Sequence, residues 1–123
     1  MKLLNSFFSI KEQTNGAGGI IFKVELDKEH FIYKAHFPEN PITPGVCIIQ
    51  MAQELMELVT GKELVLDTVA NVKYIQVISP VEDPVVFYEF GAPSLADEVC
   101  KCKVTVKGEG KLFTKLSLIY NVI

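Results

Sequence analysis

One stretch of the chain decides the fold: residues 43–61 read TPGVCIIQMAQELMELVTG. Thr43 is placed as a helix N-cap, Pro44 stands at the first helical position, where its missing N–H is no loss, and Gly61 follows the last turn. Apolar side chains cover most of the helix circumference between these signals. The stretch therefore predicts one helix that other structure wraps on nearly all sides.

A narrow polar stripe interrupts the apolar surface of this helix. Gln50, Gln53, Glu54 and Glu57 follow the spacing i, i+3, i+4 and i+7, which places them on one helical face. The stripe begins near the helix N-terminus and runs toward the outer end. We expect this face to be the exception to the apolar covering.

The rest of the chain is rich in strand patterns, and residues 28–42 are predicted to form a loop. Because no second helix is predicted, only a sheet can bury the first one. The sequence therefore predicts an α+β fold in one domain spanning residues 1–123, with a curled antiparallel sheet around a single central helix. The strands are expected at about 5–13, 19–27, 68–78, 85–90, 98–107 and 111–122, with glycine-bearing turns at 15–19 and 108–110.

Composition excludes several classes of protein. The chain has 123 residues, of which 49% are hydrophobic and 22% charged, a balance that argues against intrinsic disorder and against a second full domain. All 12 basic residues are Lys, and Trp is absent, so the chain lacks the bidentate guanidinium contacts typical of nucleic-acid recognition. We expect no nucleic-acid partner.

The charges are unevenly distributed along the chain. Residues 101–123 contain five Lys and only one acidic residue, Glu109, although the whole chain carries a net charge of −3. This local basic patch either attracts an acidic partner or is an ordinary solvated strand face.

No feature of the sequence indicates a membrane span, a metal site or a disulfide framework. Cys47, Cys100 and Cys102 form an odd set without metal-ligand spacing, and polar residues break the apolar run within residues 1–12. We therefore expect a cytoplasmic protein with reduced thiols and neither metal nor cofactor.

Candidate chemistry lies just before the helix, where residues 35–46 read AHFPENPITPGV. Three prolines stiffen this loop, so His36 is expected near the helix N-terminus, where the N–H groups of Gly45 and Val46 face outward. Those donors would stabilise a thioester oxygen that gains charge as its α-carbon loses a proton. His36 suits the base because the ordinary pKa of histidine is about 6.5. Alternatively, His36 is a loop residue that a backbone carbonyl satisfies.

Residues 36–55, HFPENPITPGVCIIQMAQEL, resemble the signature of the 3-hydroxyacyl-acyl-carrier-protein dehydratases of type II fatty-acid synthesis. The histidine, the three prolines and the glycine stand in register. The resemblance implies the hotdog fold, in which a long antiparallel sheet wraps a central helix. It also implies a homodimer or a multiple of dimers with an acyl pocket between two chains, and a substrate carried as a thioester of acyl carrier protein or coenzyme A.

The resemblance assigns roles to individual residues. In the family the histidine removes the C2 proton of a 3-hydroxyacyl thioester, and a Glu or Asp fourteen residues later protonates or activates the departing hydroxyl. This implies His36 as the base and Gln50 at the position of the acid, with Phe37, Gly45 and Val46 binding substrate. Because an amide has no ionisable proton, the substitution is expected to slow dehydration by about 100- to 10,000-fold.

Other positions offer partial substitutes for the acid or contacts for the substrate. Glu39 replaces a family glycine and is either a substitute acid or an exposed loop residue, and Glu54 is either an acid or a helix-surface or interface carboxylate. Lys73 and Tyr74 stand where the family often carries basic and aromatic residues near the entrance for the acyl carrier. The apolar residues of 75–78 either line an acyl tunnel or belong to the core.

Three functions remain open from the sequence. The first is dehydration of 3-hydroxyacyl groups on acyl carrier protein, a lyase step in fatty-acid biosynthesis. The second is an acyl thioesterase in which Gln50 and a carboxylate orient water. The third is a catalytically weak module that binds an acyl carrier or pairs with an active paralogue. The hotdog scaffold supports all three.

Overall fold

The computed structural model describes residues 2–16, 18–35 and 39–123. These residues form one antiparallel sheet and two helices of very different length. The strands are β1 (Phe8–Gly16), β2 (Gly19–Leu26), β3 (Leu64–Tyr74), β4 (Val85–Gly91), β5 (Ser94–Ala96), β6 (Val99–Gly108) and β7 (Lys111–Val122), and the helices are α1 (Phe31–Ala35) and α2 (Gly45–Thr60).

The sheet has the strand order β1-β2-β4-β6-β7-β3, and β5 pairs with β6. Every pairing is antiparallel. In the sheet that the described residues build, β1 and β3 are the two edges. Strand side chains alternate between a buried face and a more exposed one, as in β4, where Val86, Tyr88 and Phe90 are buried.

Helix α2 packs against the buried face of this sheet. Its apolar side chains join those of the strands in one core, and the Tyr88 hydroxyl donates a hydrogen bond of 2.9 Å to the Ile48 carbonyl. This bond ties β4 to the first half of the helix. The predicted α+β architecture, a curled antiparallel sheet around one central helix, is therefore confirmed.

Local sequence signals predicted the C-terminal end of α2 correctly but misplaced its N-terminal end. Gly61 adopts the left-handed conformation at φ 67° and donates its N–H to the Glu57 carbonyl at 2.9 Å, as predicted. The N-terminal prediction is wrong by one residue: Pro44 is the N-cap residue, and no side chain caps the helix. The Thr43 hydroxyl instead makes a 2.8 Å hydrogen bond with the buried Tyr33 hydroxyl.

The covering of α2 is also less complete than its composition suggests. Val46 is 69% exposed in the first turn and Leu58 is 54% exposed in the last turn. Both are apolar positions that the prediction placed under other structure. The sheet covers the face of Ile48, Met51 and Leu55 and leaves the two ends of the helix less protected.

Three elements differ from the strand and loop predictions. Helix α1 lies in the predicted loop, where His30 Nδ1 accepts the Ile32 N–H at 3.1 Å. The short strand β5 was not predicted. Strand β3 begins at Leu64 rather than at about residue 68, because Gln53 donates to the Leu64 carbonyl at 3.1 Å and Glu57 accepts the Leu64 N–H at 2.9 Å.

Candidate active site

A cavity of about 380 Å³ lies against the first turn of α2. Its volume falls in the range typical of small-molecule sites. The segment after β3 forms the opposite wall, so the predicted tunnel residues Ile75, Val77 and Ile78 do line a cavity. The lining residues are Ile42, Thr43, Pro44, Gly45, Ile48, Tyr74, Ile75, Gln76, Val77 and Ile78.

Gly45 and Tyr74 meet across this cavity. A Cβ atom on Gly45 would lie 2.6 Å from Tyr74 Oη and 2.8 Å from Tyr74 Cζ, closer than carbon contacts allow. Only glycine at position 45 therefore admits the Tyr74 ring at its observed position. Burial raises the pKa of the Tyr74 hydroxyl, so this group is a neutral hydrogen-bond donor at ordinary pH.

The backbone of the first helical turn supplies further donors to this region. The Pro44 carbonyl accepts the first bonds of the helix, from the Cys47 N–H at 3.0 Å and the Ile48 N–H at 3.2 Å. The N–H groups of Gly45 and Val46 precede these bonds, at the positive end of the helix dipole. Such a pair can stabilise negative charge on a carbonyl oxygen.

Gln50 lies five residues beyond Gly45, about 7.5 Å further along the helix axis. Among the described residues it is not part of the first cavity's lining. It lines a second cavity of about 240 Å³ together with Lys2, Leu4, Gln53, Glu54, Glu57 and Leu58. Within one chain, the helix N-terminus and the position of the expected acid thus face different cavities.

Glu54 occupies a different environment from the one predicted. Its side chain is 6% exposed, so the helix-surface interpretation is wrong. The carboxylate accepts hydrogen bonds from the Leu3 and Leu4 N–H groups and from Gln50 Nε2 at 2.9 Å. The N-terminal segment covers this face of the helix. Glu39, by contrast, is exposed in its loop.

Two predicted site residues, His36 and Phe37, lie outside the described residues. Their sequence neighbours on both sides are described: α1 ends at Ala35, and the loop that leads into the cavity wall continues from Glu39. The roles assigned to His36 and Phe37 remain predictions from the sequence.

The cysteines do not supply a nucleophile to the site. Cys47 is buried in the first turn of α2, and burial raises the pKa of its thiol. Burial likewise raises the pKa of Cys102 to about 12. Both side chains therefore stay protonated and act as small packing groups. Across the described ranges, no cluster of His, Cys, Asp and Glu could hold a metal ion, and neither helix has the length and apolarity of a membrane span.

Comparison with known proteins identifies the family of the chain. The sequence profile of the ApeI-like family, described as ApeI dehydratase, matches residues 11–109. The chain belongs to the ApeI-like dehydratase family. This confirms the predicted kinship with hotdog dehydratases. A 3-hydroxyacyl-acyl-carrier-protein dehydratase, FabZ of Bartonella bacilliformis, is 40% identical over 68 residues, which cover 49% of this chain. This chain spans 43% of the length of that relative.

Solved structures with the same architecture include both dehydratases and thioesterases. A hypothetical thioesterase of Streptococcus pneumoniae, solved with coenzyme A, superposes with a TM-score of 0.68 at 12% identity, covering 94% of this chain and 85% of its own. The dehydratase heterocomplex ApeI:P of Xenorhabdus doucetiae gives 0.66 at 12% identity, covering 91% and 96%. A Haemophilus influenzae thioesterase gives 0.65 at 17% identity, covering 94% and 78%. These likenesses confirm the hotdog fold of this ApeI-like chain.

Proposed function

We propose that this ApeI-like protein removes water from 3-hydroxyacyl groups carried as thioesters on acyl carrier protein. The observation that carries the proposal is the cavity bordered by Gly45 and Tyr74, because it places an apolar space of about 380 Å³ beside the free donors of a helix N-terminus. The family membership and the similarity to FabZ support the same reaction.

The proposed chemistry begins at the thioester carbonyl. Its oxygen accepts hydrogen bonds from the Gly45 and Val46 N–H groups, which stabilise the negative charge that develops when C2 loses its proton. His36 takes that proton, the C2–H electron pair forms the C2–C3 double bond, and the C3–O bond breaks. The departing oxygen takes a second proton from the imidazolium or from solvent and leaves as water. Gln50 contributes hydrogen bonds but no proton.

We further propose that the active unit is a homodimer, or a multiple of dimers, joined along β3. From Asp67 to Tyr74 every residue of this edge strand is exposed, and Val69 and Val72 present apolar side chains there. The exposed Tyr74 and Val77 extend the apolar surface along the cavity wall. A second copy on this edge would pair the strand, cover these side chains and bring its own α2 toward the cavity.

The basic residues support docking of an acidic carrier. Lys73 on β3 lies directly opposite Lys115 on β7, and Lys101 and Lys103 project from the same outer face of the neighbouring β6. Like charges directly opposite one another are unfavourable, and an anionic partner relieves the repulsion. In the described parts of the chain, none of these four ammonium groups lies within 4.0 Å of a carboxylate.

The remaining C-terminal lysines do not belong to this lysine face. Lys107 pairs with Glu89 at 3.0 Å, and Lys111 pairs with Asp83 at 3.1 Å. We therefore propose that carrier docking depends on Lys73, Lys101, Lys103 and Lys115, which we call the lysine face.

Two alternatives have support of their own. The Gln50 amide beside the Glu54 carboxylate could orient a water molecule for hydrolysis, and several solved structures of this fold are named thioesterases. The Xenorhabdus structure is a dehydratase heterocomplex, which supports pairing of a chain such as this one with an active paralogue.

Product analysis separates the three functions. The purified protein is incubated with 3-hydroxyacyl carrier substrates of several chain lengths, and the carrier is measured by intact-mass spectrometry. Dehydration predicts loss of one water with the acyl group still attached. Release of free acid would identify a thioesterase, and an unchanged carrier with measurable binding would identify a binding module.

A further inference from the structure

Glu54 is a buried carboxylate at the centre of a defined hydrogen-bond network. It accepts the Leu3 N–H at 3.0 and 2.8 Å with its two oxygens, the Leu4 N–H at 2.7 Å and the Gln50 side-chain amide at 2.9 Å. No ammonium group in the described ranges lies within 4.0 Å of it. Neutral donors therefore surround this carboxylate.

The network fixes the orientation of the Gln50 amide. A carboxylate only accepts hydrogen bonds, so Gln50 turns its NH₂ group toward Glu54 and its oxygen Oε1 the other way. The opposite orientation would bring two oxygen atoms to 2.9 Å without a proton between them. The i, i+4 spacing on α2 keeps the two side chains side by side.

We propose that Glu54 is a positioning residue that holds Gln50 so that Oε1 accepts a hydrogen bond from the substrate's 3-hydroxyl group. The proposal rests on the proposed function and states what an amide does at the position of the usual acid. A hydroxyl that donates to Oε1 is held in place while C2 is deprotonated, and it still carries its own proton when the C3–O bond breaks. Gln50 thus binds the leaving group through its oxygen.

The chain offers a matched control for the structural part of Glu54's role. Glu57 lies on the same polar stripe and also accepts a backbone N–H, from Leu64 at 2.9 Å. Its carboxylate binds the start of β3 rather than the Gln50 amide. Replacing Glu57 by Gln therefore weakens a backbone anchor of similar kind without disturbing the amide orientation.

A double-mutant cycle tests the proposal. Glu54→Gln should lower kcat for dehydration about tenfold, the effect of one hydrogen bond to a charged group, while Glu57→Gln leaves kcat within about twofold. In a Gln50→Glu background, assayed at a pH low enough that the carboxyl group at position 50 is protonated with or without Glu54, Glu54→Gln should cause no loss, because either oxygen of a carboxyl group can carry the proton and no orienting partner is needed. Equal losses in both backgrounds would show that Glu54 only anchors residues 3 and 4, and would overturn the proposal.

A measurement that does not depend on turnover distinguishes a failure of the positioning role of Glu54 from a failure of the proposed dehydratase function. In wild-type protein the Gln50 NH₂ resonances should be shifted by the Glu54 carboxylate, and they should move in Glu54→Gln but not in Glu57→Gln. Unchanged resonances overturn the positioning role whatever the activity. If the Gln50 NH₂ resonances move but the protein releases free acid, the dehydratase function is wrong and the orientation of Gln50 by Glu54 still holds. The same double-mutant cycle is then measured on thioester hydrolysis. If Glu54→Gln does not fold, Glu54→Asp withdraws the carboxylate by one methylene and should move the same resonances.

Discussion

The hydroxyl oxygen of Tyr74 lies 2.6 Å from the point where a Cβ atom on Gly45 would stand. The absence of a side chain at position 45 therefore shapes the cavity at the helix N-terminus. Tyr74 is 52% exposed, so its ring can swing away from an intruding group at little cost in folding stability. The glycine at position 45 therefore matters for the geometry of the cavity and not for the packing of the core.

Gly45→Ala should lower the dehydratase activity without lowering the stability of the fold. The added methyl group displaces Tyr74 and narrows the approach to the Gly45 and Val46 N–H groups, so kcat/KM for dehydration should fall about 10- to 100-fold, less than the roughly 100- to 1,000-fold cost of removing one oxyanion donor outright. The melting temperature should change little. Steady-state kinetics and thermal denaturation of the same preparation measure both effects.

Gly61→Ala is the control for this experiment and should behave in the opposite way. Gly61 sits at φ 67° with nothing within 4 Å of an added Cβ, so alanine there introduces backbone strain of about 1 kcal/mol without a collision. Stability should fall while kcat/KM is retained. A loss of activity in Gly61→Ala equal to that in Gly45→Ala would contradict the role given to the cavity.

Gln50→Glu should raise the rate of dehydration, by up to about 100-fold where the new carboxyl group is protonated. That group would stand beside the Glu54 carboxylate, and two carboxyl groups this close hold one proton between them to a higher pH than either does alone. The gain should therefore be present at neutral pH and disappear as the pH rises. Lys2 and Glu57 are the other charged groups around this cavity.

The pH–rate profile of the Gln50→Glu variant checks this expectation against wild type. Adding Glu54→Gln removes the second carboxyl group, so the decline should then shift to lower pH. An identical profile in the single and the double variant would show that the two positions do not share a proton.

The β3 edge should control the oligomeric state. Wild-type protein is expected to sediment as a dimer or a multiple of dimers at micromolar concentration, whereas Val69→Asp should dissociate it by placing a charge on the paired edge. Activity should fall with dissociation, because the proposed pocket needs both chains. Val81→Asp is the control, since Val81 is equally apolar but lines a cavity with residues of β1 and β2, near the opposite edge. A monomeric, fully active wild type would refute the dimer.

Substitutions in the lysine face should change KM only for substrates that are bound to the carrier. Lys73→Glu with Lys103→Glu should raise KM for carrier-bound substrate several-fold, and added salt should raise it in wild type, because surface attractions are screened. Short thioesters that lack the carrier should be unaffected. Lys23→Glu, a change at an ion-paired lysine on β2, is the control. Equal effects on both substrates would mean that the lysine face does not dock the carrier.

The sequence was most informative where signals are local. The end of α2 at Gly61 follows from one glycine, and the strands predicted at about 85–90 and 111–122 match β4 and β7 within one residue. The local residue pattern could not predict contacts between residues far apart in the sequence. The burial of Glu54 could not be predicted, because its partner, the Leu3 N–H, is 51 residues away in the sequence. The start of β3 was missed because side chains of α2 hold Leu64.

In the candidate site, too, the features with local sequence signals were predicted and those that depend on distant residues were not. The motif predicted the helix N-terminus at Gly45 and Val46, because proline fixes the backbone where it stands. For residues 75–78 the apolar pattern left a tunnel and the core equally open. The motif did not reveal that Gln50 is oriented by Glu54. The i, i+4 spacing places these two side chains on one face of α2, but it does not show that the Leu3 and Leu4 N–H groups hold the Glu54 carboxylate beside Gln50.

The most direct test of the central claim compares wild type with His36→Ala on 3-hydroxyacyl carrier protein, with the carrier's intact mass as the readout. We predict slow but measurable loss of one water in wild type, and none in His36→Ala, which should keep the fold and oligomeric state of wild type. Free acid from wild type, or equal water loss from both proteins, would contradict dehydration with His36 as the base.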